Sequence, residues 1–332
     1  MKIKKTLKGD TAMTIINIIL PVFFIIIIGY IAGTTKIVPT SGGKSLNNFV
    51  FYIALPALLF QATATAPLEH LMNWSFIAVN IGGILCSFVL AMLLSTFMFK
   101  RSTKTAAIYG MNASYGTTGY MGIPLVIAAF GHEAALPAAL ATLIHNIPVI
   151  TFVLIICESV QVVTHKEKRN VISTISLVLK PILTSPLTIA VISGVLVAAF
   201  EIPLPTVILS LSEMLANASG ATALFAIGLG LVGQFNLVKG NIVNMTEVWI
   251  VVLIKLFIQP LCTLLLMLYV FEVEPLWAVV SLIMSALPVG AGVYVFAQKY
   301  EKLTAQTLLA IFISIILSTF TVSIIFIVAT TL

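Results

Sequence analysis

Helix-breaking residues cluster at two places inside long apolar segments of this sequence. They read TTGYMGIPL at 117–125 and SALPVGAG at 285–292. Glycine lowers helix stability, and proline removes a backbone donor and clashes one turn back. Inside a bilayer, freed backbone groups are costly unless they face protein or a wet cavity. The two stretches therefore predict paired helix breaks, marked by Pro124 and Pro288, beside an internal cavity.

Small and hydroxyl-bearing residues surround the first break and could bind a small polar ligand. Backbone N–H groups at the start of a half-helix carry partial positive charge, which can hold a carboxylate without a dedicated arginine. Hydroxyl and amide side chains would add hydrogen bonds. The alternative is a pair of ordinary kinked helices whose glycines allow close packing. The candidate binding residues here are Asn112, Gly116, Thr117, Thr118 and Gly119.

Three further residues within the apolar segments could carry charge or a proton: Lys255, His145 and Asn146. A charge inside the membrane is expensive and functional by default, so Lys255 could attract a carboxylate or stand in for a coupling cation. Its other interpretation is a side chain that snorkels to the cytoplasmic face. His145 is either a hydrogen-bonded core residue or a site of proton coupling. No cysteine spacing suggests a metal, and neither a metal nor another cofactor is expected.

The elements that must position these residues are membrane-spanning helices. Of 332 residues, 60% are hydrophobic and 8% are charged, against about a quarter charged in soluble domains. Apolar runs of the roughly 20 residues needed to cross a bilayer recur throughout, without the alternation of a β-barrel. We predict an all-α polytopic membrane protein. Its ten apolar segments lie near 14–34, 45–65, 74–98, 105–130, 135–160, 178–200, 207–232, 246–271, 275–298 and 303–331.

Lysine and arginine are distributed unevenly between the connections, which predicts the orientation of the chain. Outside the N-terminal tail and Lys255, every lysine and arginine falls in or beside an odd-numbered connection. The charged residues of the even-numbered connections are all glutamates. The odd-numbered side is therefore expected to be cytoplasmic, with both termini extracytoplasmic. The four lysines of the N-terminal tail favour the opposite orientation. The expected location is the plasma or inner cell membrane.

Proline and glycine spacing indicates an internal repeat. Pro21 and Pro186 each precede a glycine by eight residues, and they are 165 residues apart. Pro124 and Pro288 are 164 residues apart. Because five segments is an odd number, the second copy must enter the membrane from the opposite side, as in the inverted repeats of secondary transporters. The predicted repeats are 1–165 and 166–332.

Several stretches resemble the auxin efflux carrier family, which includes plant auxin exporters and bacterial malate and malonate permeases. GYMGIPL (119–125) and SALPVGAGVYVFAQKY (285–300) are similar to its fourth and ninth helices. The resemblance covers the whole chain and implies two inverted five-helix repeats, with helices four and nine broken and crossing. The first, second and seventh helices are matched by ILPVFFIIIIGYIAG (19–33), LNNFVFYIALPALLF (46–60) and LANASGATALFAIGLGL (215–231).

The same resemblance implies where the site lies. The crossover falls at Gly116–Pro124 and at Pro288–Gly290, which adds Pro288, Val289 and Gly290 to the candidate binding residues. The family's substrate-facing asparagine on helix seven aligns with Asn217.

The sequence departs from the plant proteins at two places. They carry asparagine at the position of Thr117 and proline at the position of Gly116. They also carry an acidic residue and a lysine on helix three, where this chain aligns Asn80 and Ile84. The plant coupling site and its substrate are therefore not carried over to this sequence.

Other classes of protein fit the sequence less well. An aspartyl intramembrane protease needs two membrane aspartates, but the single aspartate of the chain is Asp10 in the tail. The GxSG-like elbow of a serine protease and the zinc motif HExxH are also missing. A receptor would carry an output domain, for which the short connections leave no room. A channel stays conceivable, although inverted repeats suit alternating access better. We expect no enzymatic activity.

We therefore expect a secondary transporter of a small organic anion, a mono- or dicarboxylate such as malate. Access would alternate around a crossover site at the membrane midplane. The alternatives are an exporter of auxin-like indoles or amino acids, and a sodium-coupled carrier similar to the bile-acid symporters. The expected partners are the substrate and the lipid bilayer, with no nucleic acid, and a homodimer stays open.

Overall fold

The computed structural model describes residues 11–39, 41–66, 73–165, 180, 183–233 and 243–331. Within these ranges the chain is all-helical, and its one β-type contact is an isolated bridge. The helices are α1 (Thr11–Thr34), α2 (Gly42–Ala64), α3 (Trp74–Phe97), α4 (Thr103–Ser114), α5 (Thr118–Phe130), α6 (Ala135–His165), α7 (Pro186–Ala199), α8 (Thr206–Gly230), α9 (Met245–Tyr269), α10 (Pro275–Ser285), α11 (Gly292–Lys299) and α12 (Thr304–Thr331).

The lengths and composition of these helices confirm a multi-pass membrane protein. Six helical stretches of the described chain are long and apolar enough to cross a bilayer, in α2, α3, α6, α8, α9 and α12. Four shorter apolar helices accompany them, in α1, α5, α7 and α10. Large apolar side chains are exposed on many of these helices, for example Phe24, Leu93 and Phe320, as lipid-facing surfaces require.

Three helices contain one widened, π-helical turn that is followed closely by a proline. A proline ring clashes with the carbonyl four residues back and brings no N–H, so the regular ladder cannot pass through it. In each case the residue before the proline donates to the carbonyl five residues back instead. The turns span Val50–Ala54, Thr118–Gly122 and Ile254–Ile258, and the prolines are Pro56, Pro124 and Pro260.

This pattern corrects one prediction. Pro124 was expected to mark a helix break, but α5 continues through it after the widened turn. The interruption lies earlier, at 115–117. Pro288, in contrast, does lie in a non-helical stretch, at 286–291.

The main helix contacts fall into two groups, which α12 joins because it also packs against α1. In the first group α1 packs against α8, and α2 packs against α7 and α8. In the second group α3 packs against α4, α6 and α9, while α12 packs against α9 and α10. Gly29 and Gly228 allow α1 and α8 to approach backbone to backbone, because a β-carbon on either would collide with the main chain of the other helix. Small residues commonly permit such contacts between membrane helices.

Candidate binding site at the paired helix breaks

The interruption between α4 and α5 meets the interruption between α10 and α11. The non-helical segments 115–117 and 286–291 pair as antiparallel strands at a single bridge, which joins Gly116 and Val289. A membrane-embedded backbone needs partners for the groups that leave a helix. Each break supplies them to the other, so the two interrupted segments contact each other through the backbone.

Two hydrogen bonds fix this pairing. The Thr117 N–H donates to the Pro288 carbonyl, and the Gly290 N–H donates to the Tyr115 carbonyl, each over 3.0 Å. Glycine is required at 290 by space: a β-carbon there would lie 2.7 Å from a Tyr115 ring carbon and 2.9 Å from the Gly116 carbonyl oxygen. The crossover is therefore a tightly packed backbone contact.

A cavity of about 470 Å³, called here the crossover cavity, lies over these paired breaks. Its wall includes 115–120 and 289–292, so the first turns of both α5 and α11 face it. The first N–H groups of a helix have no intrahelical partner and carry the positive end of the helix dipole. Two such ends therefore converge on one cavity. Residues of α2, α6, α7, α8 and α12 also line the cavity, among them Asn47, Asn146 and Ile311.

Two polar atoms at the crossover cavity lack hydrogen-bond partners within the described chain. They are the Thr118 hydroxyl oxygen and the Asn146 amide oxygen, both shielded from solvent. Buried polar groups are nearly always hydrogen-bonded, so each exception needs an explanation. A bound ligand or ordered water would supply the missing partner. Thr117 and Gly119, also predicted as binding residues, line the same cavity.

Lys255 lies directly behind the crossover. Its side chain is completely buried, which overturns the interpretation of a snorkelling lysine. The ammonium Nζ donates to Gln259 Oε1 over 2.7 Å and to the Ser285 carbonyl over 2.8 Å. A β-carbon on Gly116 would be only 3.3 Å from Nζ. Gly116 lines the crossover cavity, so the absence of a side chain there lets Nζ lie close to the backbone of the cavity wall.

His145 and Asn112 belong to buried polar contacts away from the cavity lining. His145 Nε2 lies 3.2 Å from Asn80 Oδ1, and Asn80 Nδ2 donates to Ser281 Oγ over 2.8 Å. These bonds connect α6, α3 and α10. Asn112 donates to Thr307 Oγ1 over 2.9 Å and so ties α4 to α12. The structure places neither side chain where it would touch a ligand in the crossover cavity.

Asn217 lies in a different cavity, called here the Asn217 cavity, of about 580 Å³. Gln61, His132 and Glu213 contribute polar groups to its lining, and Pro124 lies there too. The candidate residues therefore divide between two cavities. The crossover cavity touches the beginning of α2 and the end of α8, whereas the Asn217 cavity touches the opposite ends of both helices.

Sequence reasoning missed several residues at the crossover. Tyr115 and Tyr120 line the cavity, and Gln259 and Ser285 supply the oxygens around the Lys255 ammonium. Only Gln259 carried a local signal, since it precedes Pro260 in the sequence and lies four residues after the lysine. The Ser285 carbonyl could not be predicted in this way, because every residue has a backbone oxygen and Ser285 is 30 residues from Lys255 in the sequence.

An all-helical, multi-pass architecture with a cavity at two paired helix breaks is typical of a membrane transport protein. The chain belongs to the family described as Membrane transport protein, the auxin efflux carrier family, whose model matches residues 14–326. A Rhizobium meliloti protein named "Putative malonate transporter" is 28% identical over 93% of this chain and 94% of its own length.

Two other proteins are also similar to this chain. The uncharacterized transporter YfdV of Escherichia coli is 26% identical over 74% of this chain and 76% of its own length. The lysosomal cholesterol signaling protein of Mus musculus is 26% identical over 89% of this chain, but the match covers 36% of that longer protein.

Proposed function

We propose that this protein is a secondary transporter of small organic anions, with the crossover cavity as its binding site. The observation that carries the proposal is the Lys255 ammonium, whose bonded partners are the neutral oxygens of Gln259 and Ser285. The one fully buried carboxylate of the described chain, Glu247, is already paired with Arg101 over 2.7 Å. The positive charge at the crossover is therefore left for a bound anion.

The rest of the cavity supports the same ligand class. The first turn of α5 offers N–H groups, as anion sites at helix N-termini do, whereas in α11 the Val293 and Tyr294 N–H groups already donate to the Gly290 and Ala291 carbonyls. The Thr118 hydroxyl could donate to a carboxylate oxygen. Among the described residues that line the crossover cavity, none is acidic. A volume of about 470 Å³ lies within the usual range of small-molecule sites, roughly 300–1,000 Å³.

A three- or four-carbon dicarboxylate such as malonate or malate is the proposed substrate. One carboxylate would meet the N–H groups at the start of α5, above Lys255. The name of the Rhizobium meliloti relative supports this choice of substrate class.

For the mechanism, we propose alternating access between the two cavities. The crossover cavity and the Asn217 cavity are lined by opposite ends of α2 and α8, which suits a path with one exit on each side. The proposal places ten segments across the plasma or inner membrane as two inverted repeats, 1–165 and 166–332, with both termini extracytoplasmic. Transport without chemical conversion of the substrate follows from this scheme.

A ligand screen on the purified protein tests the substrate class. Thermal unfolding would be followed in detergent with malonate, malate, their neutral diamides, indole-3-acetate and amino acids, each with and without Na⁺. We expect the dicarboxylates to raise Tm and the diamides to leave it unchanged. Stabilisation by an indole or an amino acid in place of the dicarboxylates would contradict the proposal and favour the auxin-like alternative.

A further inference from the structure

The oxygens around the Lys255 ammonium resemble the ligands of a bound cation. Ser285 is the last residue of α10, and the final carbonyls of a helix have no intrahelical donor and carry the negative end of the dipole. Gln259 adds an amide oxygen, 2.7 Å from Nζ. In transporters with discontinuous helices, such half-helix C-terminal ends and unwound carbonyls coordinate the coupling Na⁺.

The lysine reaches this position because of the widened turn in α9. Lys255 is part of the π-helical turn Ile254–Ile258, and Gln259, four residues after the lysine, directly precedes Pro260. Both side chains are fully buried. The turn belongs to α9, whereas the Ser285 carbonyl, which accepts the hydrogen bond, belongs to α10. The ammonium therefore links two helices, as a metal ion coordinated by both would.

We infer that the Lys255 ammonium is a built-in cation that takes the place of a coupling ion at the end of α10. The inference rests on the proposed transport function. It assigns Lys255 as a positioning residue, which stabilises the broken end of α10 and supplies charge to the crossover without a dissociable ion. Wild-type protein should therefore bind and move its anion equally well in Na⁺, K⁺ or choline. Removing the side chain should leave an oxygen-lined site that a small cation can occupy.

A cation screen tests this directly and needs no organic anion. Tm of purified wild type, Lys255→Ala and Lys255→Met would be measured in chloride salts of Na⁺, K⁺, ammonium, methylammonium and choline at constant ionic strength. We expect no cation preference in the wild type. In choline, Lys255→Ala should have a lower Tm than the wild type. At least one small cation should raise the Tm of Lys255→Ala by about 3 °C or more, because a ligand that binds the folded state stabilises it. Lys255→Met should show no such gain, because its side chain fills the space.

An exposed lysine of α11 provides the matched control. Lys299 lies on the surface, so Lys299→Ala should respond to the cations as the wild type does. A Na⁺-selective stabilisation of the wild type, or a Lys255→Ala variant with the same response to every cation, would overturn the inference.

If Lys255→Ala does not yield folded protein, the wild type alone decides the matter. Reconstituted wild type would be assayed for malonate uptake after Na⁺ is replaced by choline. Equal initial rates support the built-in cation, and a loss of most of the uptake overturns it. Absence of malonate uptake in both salts would instead count against the proposed substrate, while a Na⁺-selective rise in the Tm of the wild type would still overturn the inference.

Discussion

Thr118 carries a hydroxyl that has no hydrogen-bond partner in the described chain, at the first turn of α5. If this hydroxyl donates to a carboxylate, Thr118→Val should weaken malonate binding by about 10- to 100-fold, the range for a hydrogen bond to a charged group. The same change should leave the stability of the ligand-free protein unchanged or slightly higher, because it removes an unsatisfied polar group. Titration calorimetry and Tm would measure the two effects.

A second threonine serves as the comparison for Thr118→Val. The Thr142 hydroxyl already donates to the Ala138 carbonyl over 2.8 Å, and Thr142 does not line either cavity. Thr142→Val should lower stability modestly without a change in affinity. Equal affinities in Thr118→Val and the wild type would show that the hydroxyl does not meet the ligand.

Gly290 tests the packing of the crossover. Gly290→Ala should lower the stability by about 1–3 kcal/mol, the usual cost of overpacking, because the new methyl group would meet the Gly116 carbonyl at 2.9 Å. Gly230 lines the same cavity, but a β-carbon there would meet nothing within 4 Å. Gly230→Ala is therefore expected to unfold at the wild-type temperature. Identical Tm values for the two variants would contradict the backbone pairing.

Individual residues could be predicted from the sequence only in part. The run from Gly116 to Gly119 was recognised because glycines and hydroxyls are unusual in a segment this apolar, and all four residues line the crossover cavity. Asn112 has the same appearance in the sequence but points its amide at Thr307. Only the three-dimensional position of α12 separates these two cases, and no local pattern encodes that position.

At the scale of the helices, Pro260 sets the position of Lys255. Pro260→Ala restores a backbone N–H and removes the ring clash, so the widened turn in α9 can tighten to a regular one. A tighter turn would rotate Lys255 relative to Gln259 and the Ser285 carbonyl. We expect at least a tenfold loss of malonate affinity with the protein still folded and inserted in the membrane. Affinity would be measured by calorimetry, and folding by size-exclusion profile and Tm.

Pro148 offers the comparison for Pro260→Ala, since it lies inside α6 without a π-helical turn of its own in the structure. Pro148→Ala should bind malonate as the wild type does. A Pro260→Ala variant with wild-type affinity would mean that the widened turn does not position the lysine.

The elements themselves were partly predictable. Hydropathy located the apolar segments, because a bilayer imposes both length and composition on the helices. Glycine and proline predicted the helix breaks. The first break was expected at Pro124, but the interruption lies at 115–117. Proline can end a helix or widen one turn of it, and the choice depends on tertiary partners. At 115–117 the partner is the segment around Val289.

At the scale of the whole molecule, the two cavities predict two separate routes of access. In a background without Cys86, Cys157 and Cys262, a cysteine would be introduced at Asn47 or at Asn217. Asn47 lines the crossover cavity and Asn217 the other. A membrane-impermeant maleimide should label Asn217→Cys from outside the cell and Asn47→Cys only from the cytoplasmic side, as the charge distribution of the connections predicts. Labelling of both from one side would contradict the arrangement.

The grouping of the helices could not be predicted from the sequence. Charge asymmetry and segment count describe how the chain threads the membrane, but they do not say that α1 and α8 pack together while α3 packs with α9. Those contacts depend on matched small residues on distant helices, such as Gly29 and Gly228. The two cavities and the division of the predicted site between them follow from this packing.

The central claim is that the crossover cavity binds an organic anion over the Lys255 ammonium. Its most direct test is the saturable uptake of radiolabelled malonate into proteoliposomes that contain either the wild type or Lys255→Met, in equal amounts. We predict saturable uptake by the wild type, inhibited by unlabelled malonate but not by malonamide, and at least a tenfold lower rate for Lys255→Met. Equal uptake by both proteins, or inhibition by malonamide as strong as that by malonate, would contradict the claim.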